Sequence, residues 1–470
     1  MSVTATLAAY VVDSELEEIP ADVQQEAKRA LLNYLGCALG GSVEPALDVA
    51  IATLAPYSGK PSAVVLGRRV RFDPLHAALL NGISSHVHEY DDTLPKNYIH
   101  PSVPVASALF AYASANPVSG RDFVHAFILG FETESRIGNA VYPAHYEAGW
   151  HITSTTGVFG AAAAIGKLLE LDARQMVWAF GLAATQAAGI REMFGSMAKS
   201  FQPGRAAQNG YTAALLARAN FTAGERALEG PRGFAPVTAR EFDLDKITAR
   251  LGSDFDLRAN AYKPYACGLV VHPTIDGCSR IRAQHRVDLA TVRAVRLRVA
   301  PLVLDLCNKK DLERALQSKY SIYHAAAIGL VRGKGGLKEF TEEAVRDPVL
   351  ARIRSITTAV ADSSITEDQV RIEVVLDGGK TIELFVEQSL GNVHRPLSNA
   401  DLEEKFRDQA VLALPAATVE TLIERCWRID ALRDVGALCR ATVPRARRAT
   451  RGRVRAGKRT RARKARARER

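Results

Sequence analysis

The segment SSHVHEYDDTLPKNYIHPSVPVASALFAYA sets His86, His88, Glu89, Asp91, Asp92 and His100 within fifteen residues, directly ahead of small apolar side chains. Imidazoles and carboxylates at that density suit a divalent-metal site, proton transfer or a hydrated loop. A His-x-His pair with a double aspartate has the ligand types a metal takes. The two histidines share a face only on a strand, however. The surroundings read as a helix end and a loop, and no helical His-x3-His pair follows. Proton transfer is the preferred reading, ahead of a polar loop and a metal site.

Three further clusters carry related chemistry. In GWHITSTTGVFGAA, His151 stands before a small-residue helix, beside Thr153, Ser154, Thr155 and Thr156. Alone, such a histidine is more often a cap or a core group. In GSMAKSFQPGRAAQNG, Lys199 and Arg205 stand at the entry to an alanine-rich helix. A lysine there opposes the helix dipole. A bound anion would remove the conflict, because helix N-termini and cations both hold carboxylates. In KPYACGLVVHPTIDG, Lys263, Tyr265, Cys267 and His272 gather where the character of the chain changes.

The elements that must position these groups follow from periodicity. Residues 15–55 alternate at helical spacing, with Pro20 at a first turn and Gly40-Gly41 at the end. Residues 101–220 are dominated by alanine, and TGVFGAAAAIGKLLELDARQMVWAFGLAATQAAGI reads as two helices split near Asp172. Small residues let helix axes approach closely, so this half predicts a tight all-helical bundle. From about Pro264 the pattern shifts. TVRAVRLRVAPLVLDL and QVRIEVVLDGGKTIELFVEQ alternate with period two, and Asp377-Gly378-Gly379 is a hairpin signal. The segments SIYHAAAIGLVRG and TEEAVRDPVLARIRSIT between them read as helical, so a smaller α+β unit is expected. Helices resume after 395, with Ser398 or Asn399 as N-cap. The expected organisation is a helical domain over 1–266, an α+β domain over 267–395, returning helices over 396–443 and a tail over 444–470.

At 470 residues and 47% hydrophobic, the chain has ample apolar content for a large core. It has no run of about 18 apolar residues to span a membrane. The N-terminus lacks a basic region ahead of an apolar core, so no secretory signal is expected. Six scattered cysteines without a CxxC pair fit reduced thiols in a cytoplasm, and argue against a four-cysteine zinc or iron–sulfur site. The net charge of +10 is a property of the end of the chain: residues 444–470 hold 14 Lys and Arg and one Glu, and taking that +13 from +10 leaves −3 for the body. So basic a tail cannot bury a core and is expected to be disordered. It is either a solvated extension or a sequence-independent contact to nucleic acid or another anionic surface. With no aromatic interleaved, base stacking is not supported.

Taken in order, the motifs resemble the MmgE/PrpD family, which includes 2-methylcitrate dehydratase, cis-aconitate decarboxylase and iminodisuccinate epimerase. The resemblance spans residues 5 to 440 or so. It is carried by NGISSHVHEYDDT with HPSVPVASALFA, GFETESRIG, GWHITSTTGVFGAAAAIGKLLELD, MAKSFQPGRAAQNGYTAALLA, NFTAGERALEGPRGF, YKPYACGLVVHPTIDG and KYSIYHAAAIGLVRG. It implies a large helical domain interrupted by a smaller α+β lid, with the active site in the cleft between them. It also implies proton movement at carbon beside a carboxylate, without metal or cofactor. Such chemistry builds charge that cations must hold, while a His or Lys handles the proton.

Carried over by position, His100 and His151 are the expected proton-handling pair, and Lys199 and Arg205 the carboxylate anchors. Glu89 and Asp92 orient or tune them. Thr93 and His272 bind substrate, and Tyr323 or His324 takes the role of a tyrosine near the family's KFS element, here KYS. Glu89 departs from the family, which usually has Asp there. The resemblance implies a cytoplasmic, cofactor-free lyase of the 2-methylcitrate dehydratase type, with an epimerase or decarboxylase of a related acid as the alternative. The expected partners are a small carboxylate and a second copy of the chain, with nucleic acid only through the tail.

Overall fold

The computed structural model of the chain describes residues 1–445. The expected disordered tail falls on residues 446–470 apart from its first two positions, and so lies outside the described residues. No single helix among the described residues is long and apolar enough to cross a membrane.

The described chain is mainly helical, as its periodicity predicts. The alanine-rich half forms the helices Ser102–Ala115, Gly120–Val141, Ile152–Leu168, Ala173–Ala184 and Met197–Arg218. Asp172 divides two of them. Its carboxylate accepts from the Gln175 N–H, and the Gln175 side chain accepts from the Asp172 N–H, which closes a capping box.

Small residues set how these helices meet. The helix Pro74–His86 crosses Met197–Arg218 at two glycines, where a Cβ added to Gly82 would lie 2.3 Å from the Gly204 Cα. That crossing delivers the last residue of one helix, His86, to the first turn of the other, which holds Lys199. The helix Asn399–Ala410 starts at Ser398, whose Oγ accepts from the Asp401 N–H. It returns to Ala21–Gly41 with Phe406 against Gly36, and Leu402, Phe406 and Leu422 join the main core. Burying each such side chain contributes about 1.5–3 kcal/mol.

Strands gather between residues 292 and 386. Thr357–Ala361, Val292–Val299, Val370–Leu376 and Thr381–Val386 lie side by side in that order; the first pair is parallel and the others antiparallel. The expected hairpin at Asp377-Gly378-Gly379 joins the last two, with both glycines at positive φ. Inward residues Val295, Leu297, Ile372 and Val374 share a second core with Ile275, Ile328 and Ile353. TEEAVRDPVLARIRSIT is two helices rather than one, Glu342–Arg346 and Pro348–Ile356. Pro348 cannot continue the first, and Asp347 caps the second.

The two cores interlock at the acidic motif. Cys37 and Tyr90 belong to the second core although they lie far from it in sequence. The short strands Asp92–Thr93 and Ala261–Tyr262 pair antiparallel, with Asp92 opposite Tyr262. The motif is thereby clamped beside Asn260 and Lys263, where the chain passes from one core to the other.

Candidate active site

Lys199 is the hub of a buried cluster. Its Nζ donates to Nε2 of His86 at 2.9 Å and pairs with Oε1 of Glu89. Tyr320 donates its hydroxyl to the same Glu89 oxygen at 2.7 Å, and Lys263 Nζ lies 3.6 Å from the other. His86 Nδ1 donates to Asp91 Oδ2 at 2.7 Å, and His100 approaches that oxygen at 3.2 Å. Glu89, His100, His151, Lys199, Lys263 and Tyr320 all line one cavity of about 50 Å³ between the two cores.

The hydrogen bonds fix which ring nitrogens are free. His86 gives its Nδ1 proton to Asp91 and receives Lys199 on Nε2. His100 donates Nδ1–H to the Asp92 carbonyl at 2.9 Å, which leaves its Nε2 for the cavity. The His100 N–H also donates to Thr153 Oγ1, so the first turn of the Ile152–Leu168 helix holds the loop. His151, the N-cap of that helix, is buried with neither ring nitrogen bonded to protein. Its ring stands edge-on to Phe194 at 5.3 Å between centroids.

Charge in this site is set by burial against neighbours. Burial raises the Glu89 carboxyl, but Lys199, Lys263, His86 and His100 outweigh it and hold it well below the usual carboxylate range. Asp91 is held low in the same way by His86, His100 and Lys263. Burial pushes His100 down to about 4 against the pull of Asp91, with Lys263 reinforcing. Burial, then Lys199, His86 and His100, holds His151 well below the usual imidazole range. Both of these histidines are therefore neutral near pH 7, able to accept a proton. Burial lowers Lys199 as well, with Glu89 opposing. Asp92 is the exception: burial carries it up to about 7, although Ser102 and Asn260 donate to Oδ2.

The ligand types of a metal site are present, since one donor atom each from His86, Glu89 and His100 lies within 4.8 Å of the others. The Lys199 ammonium already bonds two of the three, so the cationic place is filled by the protein. The His-x-His pair diverges, with His88 turned away to donate to Glu44 at 2.9 Å.

Of the expected site residues, Glu89, Thr93, His100, His151 and Lys199 lie on the cavity, and Asp92 stands directly behind His100. Four others do not. Arg205 is exposed and bonds Gln208 within its own helix, because six residues beyond Lys199 the helix has turned it to another side. His272 is buried in the second core, edge-on to Tyr265 and 3.4 Å from the Cys267 carbonyl. Tyr323 donates to Asn308, and His324 to the Glu339 carbonyl. Both follow the helix start at Ser321, whereas Tyr320 precedes it and points into the cavity.

Tyr320, Lys263, His86 and Asp91 therefore carry parts that the sequence reading left unassigned. The signal for Tyr320 was present in KYS, one residue after Lys319. His86 and Asp91 needed the Gly82–Gly204 crossing to acquire their partners.

Comparison with known proteins assigns the family of the chain. The family models for the MmgE/PrpD N-terminal and C-terminal domains match residues 5–246 and 265–429. A cis-aconitate decarboxylase-like protein of Aspergillus oryzae is 29% identical over 93% of this chain and 96% of its own length. Cis-aconitate decarboxylases of Aspergillus terreus and Homo sapiens are 27% and 26% identical, each over 93% of this chain and 95% and 94% of their own lengths.

Proposed function

The chain belongs to the MmgE/PrpD family, and from that premise we propose that it is a lyase of small di- or tricarboxylates that works with its own side chains. The observation that carries the proposal is His151: a buried, neutral imidazole with both nitrogens unbonded, on a cavity that also holds two lysines. A histidine so placed is free to exchange a proton with a ligand, and no other group among the described residues hydrogen-bonds its ring.

Among lyase reactions, the names of the relatives favour decarboxylation of a cis-aconitate-like acid over the 2-methylcitrate dehydration that the motifs alone suggested. In that reaction the bond from carbon to the departing carboxylate breaks and carbon dioxide leaves. The electron pair spreads into the neighbouring unsaturated carboxylate, and a proton then adds to carbon. Lys199 and Lys263 are suited to hold the carboxylate on which charge builds. Tyr320, whose hydroxyl burial and Glu89 keep protonated, is the candidate to deliver the proton, and His151, neutral and unbonded, is the candidate to accept one and pass it on. His100 Nε2, oriented through Asp92 and Asp91, returns a proton from solvent.

The dehydratase reading asks the same residues to remove a proton and help hydroxide depart. Product mass separates the two. Decarboxylation of cis-aconitate yields a dicarboxylate one carbon shorter, whereas dehydration conserves carbon.

A further inference from the structure

Glu89 stands in an unexpected place for a site that receives carboxylates. Its own carboxylate already sits on Lys199 and on the Tyr320 hydroxyl, 3.6 Å from Lys263. These are the donors that a bound acid needs. The residue reaches them from a left-handed backbone, φ 54°, which a non-glycine residue adopts only where its surroundings impose it.

Glu89, Lys199 and Tyr320 also face a second, larger chamber of about 820 Å³, which His88, Lys319 and Phe340 help to line. The first cavity, at about 50 Å³, has room for a few waters, each needing roughly 10–15 Å³. A tricarboxylate has several times the heavy atoms of that cluster. The trio is the wall between the two spaces, so the smaller one takes an acid only once Glu89 has moved aside and joined it to the larger.

We propose that Glu89 is a stand-in ligand: in the free protein its carboxylate fills the seat of a substrate carboxylate on Lys199 and Tyr320, and an arriving acid displaces it. The proposal rests on the reading of this site as a carboxylate lyase. Its electrostatic basis is that a buried ammonium without a partner is costly. Glu89 supplies the partner while the site is empty. When a ligand enters, two carboxylates compete for the same donors, so Glu89 subtracts from affinity. A side chain that contacted the ligand favourably would do the reverse. The minimum ligand is then a dicarboxylate, with one group for the vacated seat and another for Lys263.

The test is calorimetric binding of propane-1,2,3-tricarboxylate, which has no hydroxyl to eliminate and no double bond to take up the electron pair that loss of carbon dioxide would leave on carbon. The proteins are wild type, Glu89→Gln and Glu89→Asp. The dissociation constant is expected to fall about tenfold in Glu89→Gln, and severalfold in Glu89→Asp, whose carboxylate is drawn back by one methylene. Equal or weaker binding by the folded variants overturns the proposal and leaves the lyase reading standing. If Glu89→Gln does not fold, because Lys199 has lost its partner, Glu89→Asp decides by the same criterion. Failure of all three proteins to bind this acid or succinate removes the lyase reading and the proposal with it.

Discussion

Lys199 Nζ lies 2.9 Å from Nε2 of His86, a contact made by the crossing of two helices at Gly82 and Gly204. An ammonium that donates to an imidazole nitrogen fixes the tautomer. The His86 proton must sit on Nδ1, where Asp91 takes it at 2.7 Å. Asp91, His86, Lys199 and Glu89 thus form one continuous polar chain, and Lys199 is a structural member of it as well as a site residue.

Lys199→Ala is therefore expected to destabilise the ligand-free protein. Removing one partner of a buried pair costs about 3–5 kcal/mol, because the other charge is left uncompensated. A lysine at a helix start that merely opposed the dipole would give the opposite sign, a small gain. Chemical denaturation of the two proteins measures the difference, and an unchanged or higher midpoint contradicts the buried pairing.

The two cavity histidines should separate. His151→Asn is expected to lower kcat by about 10²–10⁴, the range for a positioned proton donor or acceptor. Its Tm should hold, since neither ring nitrogen is bonded to protein. His100→Asn should lower kcat similarly but also lower Tm, because the ring's bond to the Asp92 carbonyl is lost. A His151 variant with near-normal kcat would make that residue a cap and nothing more.

Much of the architecture was legible in the chain because its signals are local. Asp172 and Ser398 announce helix starts through groups three residues away, and Asp377-Gly378-Gly379 announces a hairpin through glycine's access to positive φ. The site was legible where motif order alone brings residues together, as with Glu89, His100, His151 and Lys199. It was not legible where helical phase decides. Arg205 lies six residues past Lys199 on one helix and faces elsewhere, and Tyr323 lies three past Tyr320 across a helix start.

Tyr320 and Tyr323 offer a paired test of that phase. Tyr320→Phe removes the hydroxyl that donates to Glu89 on the cavity wall and is expected to lower kcat/KM by at least about tenfold. Tyr323→Phe, whose partner is Asn308 away from the cavity, should stay within about twofold. The reverse pattern in steady-state kinetics would move the site.

Asp92 predicts a pH signature. Its carboxyl titrates at about 7 in the fold and near 3.8 when unfolded, so the folded state binds the extra proton between those values. The stability from this group is complete below the unfolded value and is lost as pH rises through 7. Asp92→Asn, which cannot ionise, escapes that loss. Its Tm relative to wild type should climb from pH 5 to pH 8 and then level off; a pH-independent difference would mean that Asp92 titrates as an ordinary carboxylate.

The central claim is that the cavity around Lys199, Lys263, His100, His151 and Tyr320 processes a small polycarboxylate. It is tested most directly by incubating the full-length protein separately with cis-aconitate, 2-methylcitrate, citrate and iminodisuccinate, and following each by mass spectrometry. The account predicts turnover of cis-aconitate with loss of carbon dioxide, abolished in His151→Asn. Turnover of 2-methylcitrate with loss of water would keep the site and change the reaction, whereas no turnover of any of the four by the folded protein would contradict the account.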